Sequence, residues 1–386
     1  MIPYGKQNIS KEDIASVLDV LESDFLTQGP VVPRFEKAIC QYTGAKYSVA
    51  VNSATSALHL ACLALGLGES DWLWTSAITF VSSSNCGLYC NAQIDFVDID
   101  PETWNLDLLK LEEKLIKAEK EKKLPKILVA VHLCGLPCNM EGIQKLSVKY
   151  GFSVIEDASH AVGGKYQGHP IGQCKFSEIT IFSFHPVKNM TTGEGGIAIT
   201  NNKLLADKMA LLRGHGITKD NHLMNREVED PWYYEQIELG FNYKLTDIQA
   251  ALGECQLKRL DTFVKRRHVI ADIYNSELSN LPIRLPYQDN ENYSGMHLYV
   301  IRLNINEISR SHSECFHDLR EKGIGVNLHY IPVYRHPYYM EMGFDFDHFP
   351  EAEAYYAEAI SLPMYPDLTN EQQSYVIESL ELTINS

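Results

Sequence analysis

The chain has 386 residues, 45% of them hydrophobic, and a formal net charge of −16. This length holds two domains, or one large domain with an appendage, and the apolar share suffices for a full core. So acidic a chain is excluded from broad contact with nucleic-acid phosphates, which rests on Lys and Arg; a local basic pocket for a small phosphorylated ligand stays open.

The nine cysteines are scattered. The pairs Cys86/Cys90 and Cys134/Cys138 belong to no CxxC or HxxxH pattern, so no structural metal is expected. Reduced, buried thiols point to the cytoplasm. Met1 to Ser10 is polar and has no apolar signal core. The most apolar stretch, residues 54–67, is too short for a membrane span and is interrupted by His59.

In chain order, Ser10 and Asp13 form a capping-box pattern, and Ile14, Val17, Leu18 and Leu21 then recur at helical spacing. Leu26-Thr-Gln-Gly-Pro30 is a turn. Residues 47–51 predict a strand, and residues 53–65 an apolar helix ended by Gly66. Further β-type runs are predicted at 72–75, 93–99, 127–132, 153–156, 179–182 and 197–200. Amphipathic helices separate several of them, including one over 104–123. Such alternation predicts an α/β fold with a mostly parallel sheet covered by helices. Residues 247–279 read as one long helical connector into a smaller α+β unit. The expected division is a large domain over 1–255 and a small one over 256–386.

Two strand ends carry the chemistry. Ser153-Val-Ile-Glu-Asp157 ends in carboxylates, and ligands of open α/β sheets sit at the carboxyl ends of strands. Ile179-Thr-Ile-Phe-Ser183-Phe-His-Pro-Val-Lys188 ends in a lysine 31 residues after Asp157, one β-α-β step later. Both can face one crevice. Pyridoxal phosphate (PLP) chemistry needs this pair: an amine to bond the cofactor aldehyde, and a carboxylate to keep the pyridine nitrogen protonated. Asn52-Ser-Ala-Thr-Ser56 opens a helix and offers N–H groups to a phosphate. Phe80 follows another strand end and could stack on a flat ring. Taken alone, each has an ordinary alternative: a turn-capping Asp, a solvated Lys, a Ser N-cap, a core Phe.

Eight stretches in order resemble the DegT/DnrJ/EryC1/StrS sugar aminotransferases, which are fold-type-I PLP-dependent enzymes. They are Leu26-Thr-Gln-Gly-Pro30, Asn52-Ser-Ala-Thr-Ser-Ala-Leu-His59, Ile78-Thr-Phe-Val-Ser82, Phe96-Val-Asp-Ile-Asp100, Glu156-Asp-Ala-Ser-His-Ala161, Ser183-Phe-His-Pro-Val-Lys188, Gly193-Glu-Gly-Gly196 and Gly240-Phe-Asn-Tyr-Lys-Leu-Thr-Asp247. Within the family, Ile2-Pro-Tyr-Gly-Lys-Gln-Asn-Ile9, Gly323-Ile-Gly-Val-Asn-Leu-His-Tyr-Ile-Pro332 and Pro337-Tyr-Tyr339 are similar to the UDP-4-amino-4,6-dideoxy-N-acetyl-β-L-altrosamine transaminases of pseudaminic acid synthesis.

The resemblance implies that Lys188 carries PLP as a Schiff base and that Asp157 pairs with its ring nitrogen. It implies that Phe80 stacks on the ring and His160 lies near the ring hydroxyl. Ala54, Thr55 and Ser183 would hold the phosphate, with Asn242 reaching it from the partner of a homodimer. Tyr4, His329 and Tyr330 fall where the family meets a UDP-linked 4-keto sugar, and L-glutamate is the implied amino donor. Alternatives are another nucleotide 4-keto sugar, such as a bacillosamine or perosamine precursor, or a PLP-fold sensor, which would need an added DNA-binding module. A dehydratase of the family would carry His in place of Lys188. The Trp72-Leu-Trp74 stretch departs from the family pattern, and its two indoles need room beside the sheet.

Overall fold

The computed structural model describes residues 1–226 and 230–385. The large unit is built on a seven-stranded sheet: β1 (Tyr47–Val51), β2 (Trp72–Ser76), β3 (Gln93–Val97), β4 (Ile127–Val131), β5 (Ser153–Asp157), β6 (Ile179–Ser183) and β7 (Gly196–Thr200). The strand order is β1-β7-β6-β5-β4-β2-β3. Only β7 is reversed, running antiparallel to both β1 and β6. β4, β6 and β7 are buried along their whole length, which explains why their sequences are mostly apolar runs rather than apolar–charged alternations.

The register fixes the working edge. Asp157 pairs with Val131 and with Ile181, and Gly196 pairs with both Ser183 and Val51. The carboxyl ends of the parallel strands therefore meet the first residue of β7. Gly196 lies against the start of the helix Ala54–Ala64: a Cβ there would stand 2.4 Å from the Ala54 nitrogen and 2.5 Å from the Ser53 carbonyl carbon. Only glycine permits this approach.

The first helix, Lys11–Leu21, has the expected capping box, but its apolar stripe faces away from the core: Ile14, Leu18 and Leu21 are about half exposed. The helix docks through Asp13 instead. That buried carboxylate accepts from Gln256 Nε2 at 2.7 Å and pairs with Arg259, so a polar anchor overrides the apolar face. The amphipathic segment 104–123 is helical only over Leu108–Glu121, because Trp104 takes a left-handed φ of 62° and Asp107 caps the helix. Trp74 is buried against Leu111 and Leu115, with the Lys114 ammonium 5.1 Å over its ring, and Trp72 packs half-buried beside it. The sheet face thus accommodates both indoles.

The expected connector is two helices, Asp247–Leu257 and Leu260–Glu277. Leu260 and Val264 pack into the large core, whereas Ile270, Ala271 and Tyr274 pack into a second one. The smaller unit holds an antiparallel sheet of β8 (Ile283–Arg284), β9 (Tyr299–Leu303) and β10 (Ala359–Leu362). The chain's start joins this unit: Ile2–Pro3 pairs in parallel with Ile324–Gly325, and Ile2 packs on the second core. Among the described residues no helix is long and apolar enough to cross a membrane, and no cluster of His, Cys, Asp or Glu could hold a metal ion.

Gly196→Ala tests the register argument. The added methyl overpacks backbone against backbone, so unfolding by urea should show a loss of about 1–3 kcal/mol; an unchanged midpoint would contradict the close approach.

Candidate active site

A cavity of about 690 Å³ opens between the carboxyl edge of the sheet and the smaller unit. Ala54, Thr55, Phe80, Asp157, His160, Ser183 and Lys188 line it from the sheet side, and Tyr4, His329 and Tyr330 from the other. Asn242 does not line it. It lies exposed on a segment bridged to Gly214.

Lys188 sits in the loop between β6 and β7. Phe184 N–H donates to the Gly195 carbonyl at 2.9 Å and Thr192 N–H to the Phe184 carbonyl at 3.0 Å, which closes the loop as a hairpin. The Lys188 amide then donates to the His185 carbonyl at 3.0 Å, turning the side chain toward the cavity. Its ammonium has no hydrogen bond or ion pair among the described residues. Burial lowers its pKa to about 8, opposed by the nearby Asp157 and Cys134.

Asp157 is buried at the end of β5. One carboxylate oxygen accepts from Ser83 Oγ at 2.7 Å, and the other accepts from Ser159 Oγ at 2.6 Å and Ser159 N–H at 3.2 Å. Ser83 Oγ is itself 2.8 Å from Thr79 Oγ1. Hydroxyls and an amide, not a cation, hold this anion.

The histidines of the cavity are neutral. The Cys134 N–H donates to His160 Nδ1 at 3.3 Å, so the ring proton lies on Nε2, which faces the Tyr330 hydroxyl at 3.0 Å. Burial and the neighbouring Lys188 push the His160 pKa well below its usual value and that of His329 to about 3. His329 Nδ1 is bonded to Ser361 Oγ at 2.8 Å, and its ring lies 5.0 Å from that of Tyr4. Phe80 is 55% exposed at the cavity rim, with its ring 6.0 Å from Tyr330. An apolar ring left this open has room to cover a flat ligand.

At the other end of the cavity, Ser53 caps the helix Ala54–Ala64 by accepting from Ser56 N–H. The N–H groups of Ala54 and Thr55 have no acceptor among the described residues, and the buried Ser183 hydroxyl sits on the same cavity wall. Free amides at a helix start suit an anion.

The sequence reading missed Ser83, Ser159 and His297. Ser83 had a signal, since it lies in a hydroxyl run one turn past Phe80. His297 precedes β9 as a lone histidine, a pattern that cannot be told from a core residue.

A mostly parallel-sheet unit with a smaller α+β unit, and a half-buried lysine beside a buried aspartate at adjoining strand ends, define a fold-type-I aminotransferase. The chain matches the DegT/DnrJ/EryC1/StrS aminotransferase family over residues 7–381 and belongs to it. It is 39% identical to the spore coat polysaccharide biosynthesis protein SpsC of Bacillus subtilis, over 98% of this chain and 96% of that protein. It is 37% identical to the UDP-4-amino-4,6-dideoxy-N-acetyl-beta-L-altrosamine transaminase of Campylobacter jejuni, with the same coverage of 98% and 96%. Among solved structures, Spr1654 of Streptococcus pneumoniae in its PMP form superposes with a TM-score of 0.90 at 29% identity, covering 99% of both chains. The PLP form of the same protein gives 0.88.

The lowered pKa can be read directly. Amine-specific labelling of cofactor-free protein across pH, followed peptide by peptide, should give Lys188 a midpoint near 8, against about 10.4 for surface lysines. Asp157→Asn removes an anion that favours the ammonium and should move the midpoint lower still; a rise would contradict the electrostatics described.

Proposed function

We propose that the chain is a PLP-dependent aminotransferase that moves the amino group of L-glutamate to C4 of a UDP-linked 4-keto-6-deoxy-N-acetylhexose. The product is UDP-4-amino-4,6-dideoxy-N-acetyl-β-L-altrosamine, an intermediate of pseudaminic acid biosynthesis, made in the cytoplasm. The observation that carries this reading is that Lys188, its pKa lowered by burial, and the buried Asp157 carboxylate line one crevice.

The residues fit the cofactor. PLP, when bound, supplies an aldehyde and an electron-accepting ring. Lys188 presents an amine to that aldehyde without first losing a proton at high cost. Asp157, held by Ser83 and Ser159, would accept a hydrogen bond from the ring N–H and keep it protonated. Ala54 and Thr55 N–H and the Ser183 hydroxyl would take the phosphate. Phe80 would stack on the ring, and His160, whose Nε2 is shared with Tyr330, would serve the ring hydroxyl.

During turnover Lys188 would take the proton from the donor's Cα and deliver it to the carbon supplied by the cofactor aldehyde, on the far side of the shared nitrogen. A pKa of about 8 lets it do both near neutral pH. Tyr4, His329 and Tyr330 face the incoming sugar. The 37% identity to the altrosamine transaminase over almost the whole chain supports this choice of sugar. The similarity to SpsC keeps a second nucleotide 4-keto sugar, a bacillosamine or perosamine precursor, as the competing substrate for the same machinery.

A homodimer belongs to this reading. Asn242 lies outside its own cavity, and Leu239, three residues before it, and Trp232, ten before it, are 79% and 72% exposed. A second copy covers them and receives Asn242 at its phosphate end.

In the test, L-glutamate should convert the visible absorbance of the PLP-loaded protein to that of the pyridoxamine form. Lys188→Ala should slow this by roughly 10²–10⁴-fold. Product formation from a panel of UDP- and GDP-linked 4-keto sugars then identifies the acceptor. Unaltered conversion in the lysine variant sinks the reading; turnover only on a sugar outside the N-acetylhexose class replaces the substrate and leaves the reaction.

A further inference from the structure

His297 lines the same cavity from the smaller unit, two residues before β9, and is 3% exposed. Its backbone is pinned on both sides: the N–H donates to the Cys134 carbonyl at 2.9 Å, and the carbonyl accepts from Arg267 Nη1 at 2.9 Å. Its ring packs on His160, with centroids 4.6 Å apart. Nδ1 is buried with no hydrogen-bond partner among the described residues. Nε2 also has none, but it is reachable from the cavity.

Buried N–H groups are almost never left without an acceptor. The proton of this neutral imidazole therefore belongs on Nε2, where a ligand can meet it. A second observation says what kind of ligand is short of donors. Among the described residues no arginine lines the cavity, and Lys188 is its one lysine. That amine is occupied with the cofactor, so among this chain's own described residues a dicarboxylic amino donor meets no fixed cation.

We infer that His297 holds a carboxylate of the amino donor through its Nε2–H. The inference rests on the aminotransferase reading above. A neutral donor suits a site that two substrates occupy in turn. An arginine would leave a buried, unpaired charge whenever the sugar replaced the amino acid, whereas an imidazole N–H left to water costs little.

The probe is glutarate, a dicarboxylate without an amino group, titrated calorimetrically into the PLP-loaded full chain. In His297→Asn the amide nitrogen sits at the Nδ1 position and nothing replaces Nε2; in His297→Gln the amide nitrogen reaches the Nε2 position. Glutarate Kd should rise by about tenfold or more in His297→Asn and stay within about threefold of wild type in His297→Gln, the size expected for one hydrogen bond to a charged group. PLP affinity, followed by cofactor fluorescence, should not change in either variant. Equal weakening in both variants, weakening in neither, or a change in PLP affinity overturns the assignment. The two readings fail separately. Wild-type protein that binds glutarate His297-dependently, yet is not converted by glutamate, would lose the reaction and keep the contact. Protein that glutamate converts, with glutarate Kd unmoved in His297→Asn, would keep the reaction and lose the contact.

Discussion

Everything at the site depends on where the strands stop. The pairings Val51–Gly196–Ser183 and Ile181–Asp157–Val131 set every strand end on one edge. A one-residue slip in a sheet turns each side chain to the opposite face, so Asp157 would leave the crevice. The reversed strand β7 adds a further constraint. Because it runs against β6, the loop carrying Lys188 starts and ends at the same edge and closes as a hairpin. A parallel β7 would need a crossover of a dozen residues or more back along the sheet, and Lys188 would be carried away from Asp157.

The electrostatics are built against the chain's overall character. An acidic protein places few charges in its crevice and controls each one. Burial weakens the hold of Lys188 on its proton, and Lys188 in turn helps keep His160 and His329 neutral. Asp157 is steadied by Ser83 and Ser159. An arginine in their place would satisfy the carboxylate fully and spend its charge; hydroxyl donors orient the oxygens and leave the charge available to a cationic group in the crevice. Behind this layer, the Cys138 N–H donates to His132 Nδ1 at 3.2 Å, so His132 Nε2–H bonds Glu156 at 2.8 Å and fixes the adjoining strand ends from below.

The sheet was legible because its strands are short apolar runs bounded by turn residues: all seven expected runs are strands, with ends shifted by two residues at most. Direction was not legible. Nothing in residues 197–200 distinguishes a reversed strand from a parallel one, since both faces are buried either way. Periodicity also misled at the first helix, where Ile14, Leu18 and Leu21 marked a helix but not its packed face, because one buried Asp13 decides the docking. The site residues legible in the sequence were those in motifs at strand ends. Ser83, Ser159 and His297 act through contacts made across 74, 2 and 137 residues of chain, to Asp157 and, for His297, to His160; Ser159 lies beside the Asp157 motif and Ser83 in a hydroxyl run, whereas nothing local marks His297.

The two walls of the crevice have different origins. The lysine, the aspartate and the anion end belong to strand ends of one rigid sheet. The facing wall is stitched from three distant segments, around Tyr4, His297 and His329. Ile2–Pro3 pairs with Ile324–Gly325, the Met364 N–H donates to the Tyr4 carbonyl at 2.9 Å, and Arg267 donates to the carbonyls of both His297 and Met364 at 2.9 Å. Arg267 is buried and bonds no carboxylate among the described residues, and its Nη1 is spent on tying backbones together. Such a wall can change its side chains without disturbing the sheet. Under the proposed function, the geometry separates the groups assigned to the chemistry from the groups assigned to the substrate, and the second wall can vary while the first is kept.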